Sequence, residues 1–196
     1  AFALTRQILM EMFSVLSRVL PASFFVFVCY GFWRSFVQTG KWTSLMWLVS
    51  EGLVVVLLVF RRESSRISRN PWDWFVAIGG SFAVLLVRPT ATVIAPEFVG
   101  VALQFMGVLF ELYGKLHLGR SFGIVAADRG IVMGGPYRIV RHPIYLGYLI
   151  THVGFLSTNW SLRNVAVYVL VYFFQVCRIL SEERLLKGDE SYRAYC

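Results

Sequence analysis

The chain has 196 residues, of which 57% are hydrophobic and 15% are charged, and its formal net charge is +8. Soluble domains carry about 25% charged residues, so this composition excludes an ordinary soluble protein and indicates an integral membrane protein. The positive charge does not indicate nucleic-acid binding, because the basic residues lie at the ends of apolar segments. Cys29, Cys177 and Cys196 form no C-x-x-C pair, so neither a disulfide framework nor a metal site is expected.

The order of apolar segments predicts an all-α bundle of five or six transmembrane helices in a single domain. The expected segments are 1–18 (an interfacial helix or the start of the first span), 22–36, 44–60, 72–87, 98–118, 144–157 and 162–180. Segment 144–157 is short, since about 20 apolar residues cross a bilayer. With a turn at 158–161 it is expected to form a C-terminal helical hairpin. N-terminal spans over 1–97 then precede a core over 98–196.

The distribution of Lys and Arg predicts the orientation of these spans. If the polar loop 61–71 lies in the cytosol, fifteen of the nineteen basic residues fall on the cytosolic side. Such a bias follows the positive-inside rule. We therefore expect a multi-pass protein, of bacterial inner-membrane type, with both termini in the cytosol.

The stretch 130–147 concentrates Gly, Pro, Tyr, Arg and His just before an apolar segment resumes. Pro143 suits the first turn of a helix, where its missing N–H costs nothing. His142 would then lie at a helix entrance, and such an entrance attracts carboxylates and phosphates. The structural alternative is a membrane-interface loop in which Arg and Tyr anchor a helix end.

Several ionisable residues fall inside or beside the apolar segments, where they are costly and often functional. Arg178 and Glu182 share one helix face, and a simple ion pair between them is the structural alternative. Glu111 and Lys115 have the same spacing, and a structural pair is expected there. His117 and His152 are expected to be hydrogen-bonded helix residues. The sequence contains no H-E-x-x-H, P-loop or G-x-G-x-x-G motif.

Two motifs together resemble the isoprenylcysteine carboxyl methyltransferase family of membrane enzymes. The loop reads G-I-V-x-x-G-P-Y-x-x-x-R-H-P-x-Y-x-G over 130–147, R-x-x-x-E-E follows over 178–183, and Y-R-x-Y lies near the end at 192–195. The resemblance covers about 98–195 and leaves 1–97 without a match. It implies S-adenosylmethionine as the cofactor, bound in a pocket that faces the cytosol. The cofactor-binding residues that it implies are Arg129, Gly130, Ile131, Val132, Tyr137, His142, Pro143, Ile144, Tyr145 and Glu182.

Arg178 falls where eukaryotic members of that family place an Arg that contacts the substrate. A carboxylate nucleophile needs no general base but needs a cation to hold it, and the planar guanidinium of Arg178 suits that task. An amine nucleophile would instead need a base, for which Glu183 is the candidate. Arg178 and Glu183 are therefore the expected catalytic residues.

The resulting prediction is methyl transfer to a lipophilic acceptor that arrives from the membrane lipids, with carboxyl O-methylation of an isoprenylcysteine-like substrate as the first choice. The alternatives within this class are phospholipid N-methylation and small-thiol S-methylation. Outside it, a sterol-type reductase that uses NADPH and a non-catalytic scaffold or transporter stay open. A nucleic-acid partner is not expected.

Overall fold

A computed structural model of the chain describes residues 2–40, 42–64, 66–68, 70–188 and 193. The described residues form six α-helices and two short strands. In chain order they are α1 (Phe2–Thr39), α2 (Trp42–Phe60), β1 (Arg66–Ile67), α3 (Pro71–Ala83), α4 (Glu97–Leu118), β2 (Ala127–Asp128), α5 (Pro143–Thr158) and α6 (Leu162–Leu186). The predicted all-α membrane bundle is confirmed.

Four of the described helical segments are long and apolar enough to cross a membrane. They are Arg18–Thr39, Trp42–Phe60, Glu97–Ser121 and Leu162–Leu186. The apolar helix Pro71–Leu86 is shorter than these, because regular helix stops at Ala83 and the chain is extended at Val87, just before the Arg88-Pro89 step. Proline disfavours helical geometry at the residue before it, which here is Arg88.

The chain divides into two compact units, 1–63 and 64–196. In the first unit α1 packs against α2, with the rings of Phe32 and Trp47 stacked at a centroid distance of 6.1 Å. A hydrogen bond of 3.0 Å between the Ser35 and Ser44 hydroxyls joins the same two helices. The second unit contains the loop and both motifs that the sequence singled out.

In the second unit α4 and α5 touch along their backbones. A Cβ atom added at Gly107 would lie 2.5 Å from the backbone nitrogen of Thr151 and 2.7 Å from the carbonyl oxygen of Gly147. At Gly154 it would lie 2.7 Å from the carbonyl oxygen of Gly100. Only glycine allows helices to approach so closely, as small residues do at membrane helix interfaces. This contact fixes where α5 begins relative to α4.

Helices α3 and α6 form the other packed pair of this unit. Val76, Val171 and Phe174 are buried between them. Gly80 leaves room for the Arg178 side chain, whose Cδ would lie 3.4 Å from a Cβ at that position.

The expected segments 1–18 and 22–36 form one helix, α1, which continues through Pro21. Two further boundaries differ from the sequence-based expectations. Helix α6 continues to Leu186 instead of giving way to a charged tail after Leu180. The segment between α4 and α5 contains turns of 3-10 helix at Gly119–Ser121 and Gly135–Arg138, and its strand β2 pairs with β1. The end of α6 and the pairing of β2 with β1 both involve residues that are distant in the sequence. A prediction made from the local sequence pattern does not include such contacts. Tyr192 and Tyr195 of the predicted C-terminal motif lie outside the described residues.

Candidate active site

The loop that precedes α5 is held in place by glycine and proline geometry. Gly135 has a φ of +57°, a left-handed conformation that glycine adopts readily, and Pro136 follows it in a turn of 3-10 helix. The Tyr137 side chain is buried, and its hydroxyl donates to the carbonyl of Gly114 on α4 at 3.5 Å. Pro143 then begins α5 in the position that the sequence predicted.

Two side chains of this helix entrance meet two carboxylates near the end of α6. The Tyr145 hydroxyl donates to Glu182 Oε1 at 2.8 Å, and His142 Nε2 lies 3.2 Å from Glu183 Oε1. His142 Nδ1 is also 4.0 Å from Glu182 Oε2, so the imidazole lies between both acids. We refer to these four residues as the loop–helix clasp. It joins residues that are about 40 positions apart in the chain.

Glu183 has further cationic neighbours. Arg141 Nη1 lies 3.4 Å from one of its oxygens, and Lys187 Nζ lies 4.0 Å from the other. These contacts, with His142, give the Glu183 carboxylate three basic groups around it. In this geometry Glu183 ties the loop to the helix.

Arg178 lies one turn before Glu182 but does not pair with it. Its Nη2 donates to the carbonyl of Ile124 at 3.0 Å, and its Cζ lies 5.7 Å from the centroid of the Tyr145 ring. No ion pair within 4.0 Å joins Arg178 and Glu182 in the described part of the chain. Arg178 Nε is buried and has no hydrogen-bond partner among the described residues. The simple ion pair that the spacing allowed is therefore not formed.

The segment 129–132, which the resemblance assigns to the cofactor, lies in the preceding loop. Arg129 is buried, and its guanidinium packs over Gly123 and donates to the carbonyl of Val125 at 3.5 Å. Gly130 has a φ of +92°, and its N–H donates to the Asp128 side chain at 3.2 Å. Ile131 and Val132 follow half-buried. Among the described contacts, no hydrogen bond joins 130–132 to the clasp.

The structure therefore brings together only some of the predicted site residues. His142, Tyr145, Arg178, Glu182 and Glu183 form one continuous group. Ile144 is buried and faces α4, where its Cγ1 would lie 2.9 Å from a Cβ at Gly114, and Tyr137 also contacts α4.

Three further expectations concern the contacts of other ionisable residues within the helices. Glu111 and Lys115 form the expected pair at 3.4 Å, with both side chains fully buried. His152 Nδ1 lies 3.0 Å from the Tyr172 hydroxyl, and His117 Nδ1 lies 3.0 Å from the Tyr113 carbonyl. These three expectations are confirmed.

Sequence reasoning missed Asp73, a buried carboxylate near the end of α6 that bears the clasp. The sequence feature that could have indicated it is a single acidic residue at the start of the apolar segment 72–87. It also missed the glycines at seven-residue spacing on α4, Gly100, Gly107 and Gly114.

The donor set fits the groups of S-adenosylmethionine. His142 is the N-cap residue of α5 but makes no side-chain capping bond, so the first N–H groups of α5 receive no cap from it and suit a carboxylate. Glu182 is partly exposed and can accept from hydroxyl or amino groups.

The comparisons agree with the motif resemblance. A model of the phospholipid methyltransferase family matches residues 95–193, and this family includes the isoprenylcysteine carboxyl methyltransferases. No curated protein and no solved structure matches the chain. The matched residues begin just before α4 and leave α1, α2 and α3 outside.

Proposed function

We propose, from the premise that this chain belongs to the phospholipid methyltransferase family, that it transfers a methyl group from S-adenosylmethionine to a lipophilic acceptor at the membrane surface. Proteins of this family are membrane methyltransferases and generally use that cofactor. The single observation that supports the proposal best is the clasp, in which Tyr145 and Glu182 are joined at 2.8 Å.

The proposed cofactor-binding residues are Arg129 to Val132, Tyr137, His142 to Tyr145 and Glu182. When bound, S-adenosylmethionine supplies an electrophilic methyl group on a positively charged sulfur. The uncapped start of α5 would receive its carboxylate. Glu182 would accept from its hydroxyl or ammonium groups and hold negative charge near the cation. Tyr145 would keep Glu182 oriented through their hydrogen bond.

For the acceptor we propose a carboxylate on a lipophilic molecule, as in an isoprenylcysteine, with Arg178 as its contact. The planar guanidinium of Arg178 is held by Ile124 and the Tyr145 ring, while its Nε keeps an unused donor. A fixed guanidinium with a free N–H suits a carboxylate better than a flexible ammonium does. An ionised carboxylate needs no general base, so Arg178 would hold and orient the nucleophile.

The main alternative is N-methylation of a phospholipid amine, with Glu183 as the base. Glu183 is an unfavourable base in this geometry, because its oxygens already contact His142, Arg141 and Lys187 at 3.2, 3.4 and 4.0 Å and join the loop to the helix. This observation favours an acceptor that is already ionised, either a carboxylate or a small thiolate. The family membership disfavours the reductase alternative.

Calorimetry in detergent tests the proposal. S-adenosylhomocysteine, the demethylated cofactor, should bind to the purified protein, and NADPH should not. A farnesylated cysteine derivative, a phosphatidylethanolamine and a small thiol, each incubated with labelled S-adenosylmethionine, then separate the acceptor classes. Binding of NADPH alone would contradict the proposed chemistry, and methylation of the phospholipid alone would contradict the proposed acceptor.

A further inference from the structure

Asp73, on α3, has a buried carboxylate that accepts hydrogen bonds from α6 and from the segment before α3. Its Oδ1 accepts from the Ser181 hydroxyl at 2.7 Å and from Arg184 Nη2 at 3.0 Å, and its Oδ2 accepts from the Ser68 hydroxyl. Only 5% of the residue is exposed. Arg184 Nη2 also lies 3.2 Å from the Ser181 hydroxyl, so the three groups on α6 and α3 form one closed network.

The two α6 donors of this network flank the clasp acids in sequence. Ser181 immediately precedes Glu182, and Arg184 immediately follows Glu183. Each residue of an α-helix is rotated by about 100° from the one before it. A helix that is held to α3 through Ser181 and Arg184 therefore has a fixed rotation, which determines the direction in which Glu182 and Glu183 point.

The end of α6 needs such an attachment. Beyond Leu180 the helix is mainly polar and lacks the apolar face that packs Val171 and Phe174 against α3. Short polar helix ends have little intrinsic stability and open easily. The Asp73 network supplies a polar contact between α6 and α3 where the apolar packing of the two helices ends.

We propose that Asp73 is a positioning residue of the active site: it fixes the rotation of the α6 end so that Glu182 and Glu183 meet Tyr145 and His142. The inference rests on the proposed function only for its effect on cofactor binding. It makes α3, which lies outside the residues matched by the family model, a part of the site.

A purely structural role makes a different prediction. If Asp73 only stabilised the bundle, Asp73→Asn would lower the melting temperature and leave the folded protein with normal cofactor affinity. If Asp73 positions the clasp, the folded variant should bind S-adenosylhomocysteine about tenfold more weakly. A tenfold loss of affinity corresponds to the loss of about one hydrogen bond to a charged group. Glu97→Gln is the matched control, since Glu97 is an exposed acid in the first turn of α4. It should leave the affinity unchanged.

A second readout needs no cofactor. A 3-fluorotyrosine introduced at position 145 reports the hydrogen bond of its hydroxyl through the fluorine chemical shift. Glu182→Ala, which removes the acceptor oxygen, defines the shift of the broken bond. Asp73→Asn should move the shift toward that reference, and Glu97→Gln should not.

The proposal is overturned if either readout of folded Asp73→Asn equals that of the parent protein. If Asp73→Asn does not fold, Ser181→Ala replaces it, because it removes one donor and leaves the Arg184 contact. The same two readouts then decide. If the parent protein binds no S-adenosylhomocysteine, the proposed function fails, and the fluorine shift alone decides whether Asp73 positions Glu182.

Discussion

At the scale of single residues, Arg178 and Glu182 occupy the same face of α6 and both contact Tyr145, Arg178 through the ring and Glu182 through the hydroxyl, but their other contacts differ. Glu182 accepts from Tyr145 at the start of α5, and Arg178 donates to Ile124 in the preceding loop. Because they form no ion pair with each other, each is available for a separate ligand. This arrangement supports assigning Glu182 to the cofactor and Arg178 to the acceptor.

Substitutions of these two residues should therefore separate binding from turnover. Glu182→Gln should weaken affinity for S-adenosylhomocysteine by about 1.5–3 kcal/mol, because it replaces a charged acceptor by a neutral one. Arg178→Lys keeps the charge but loses the planar fork, so methyl transfer should fall sharply while cofactor affinity changes little. Calorimetry and turnover measured on both variants check this.

The melting temperature of each variant serves as the control for folding. A loss of cofactor binding in Arg178→Lys would contradict the division and place Arg178 in the cofactor pocket. If both substitutions leave cofactor affinity and turnover unchanged, neither residue contacts a ligand.

The helix start at this site could be predicted from sequence, whereas the contacts of its side chains could not. Pro143 after His142 predicted a helix start, and the structure confirms it. No local pattern pairs His142 with Glu183, however, because 41 positions separate them and their contact depends on how α5 and α6 lie.

At the scale of elements, the backbone contact of α4 with α5 determines where the helix entrance of the site lies. Gly107 provides a direct test, because α4 and α5 must move apart to accept a side chain there. Gly107→Ala should destabilise the protein by about 1–3 kcal/mol, the usual cost of overpacking. It should also weaken binding of S-adenosylhomocysteine. Thermal unfolding in detergent and calorimetry measure the two effects.

Gly52→Ala is the matched control for this substitution. Gly52 lies within α2, and an added Cβ there would meet no atom within 4 Å. Its replacement should be neutral or slightly stabilising, because alanine favours helix more than glycine does. Equal effects at both positions would contradict the assigned role of the α4–α5 contact.

The elements themselves could largely be read from the sequence, because apolar runs reveal membrane helices without knowledge of their neighbours. Expected segment 44–60 matches α2 at Trp42–Phe60, and 98–118 matches α4 at Glu97–Leu118. The end of α6 could not be read in this way. Its last residues are mainly polar, and their contacts with Asp73 and with the start of α5 are ones that no local pattern indicates.

At the scale of the whole molecule, the length of α6 accounts for the position of the site. Its 25 residues extend about 37 Å at 1.5 Å per residue, which exceeds the roughly 30 Å of a bilayer's hydrocarbon core. We therefore expect the polar end of α6, with Glu182 and Glu183, to lie at a membrane surface. A lipophilic acceptor could remain in the bilayer while its polar group reaches this end.

The charge distribution predicts which surface this is. We expect the end of α6 near Gly188 in the cytosol and its start near Leu162 on the opposite side, because most of the basic residues cluster with the clasp end.

Single cysteines at these two positions, both exposed, should be modified from opposite sides of the membrane by an impermeant maleimide. The parent for this measurement lacks Cys29, Cys177 and Cys196, and permeabilised cells provide the control for reactivity. In intact spheroplasts only the cysteine at 162 should be labelled. Labelling of both from outside would contradict a membrane crossing by α6, and labelling of 188 alone would place the clasp on the outer surface, away from a cytosolic supply of S-adenosylmethionine.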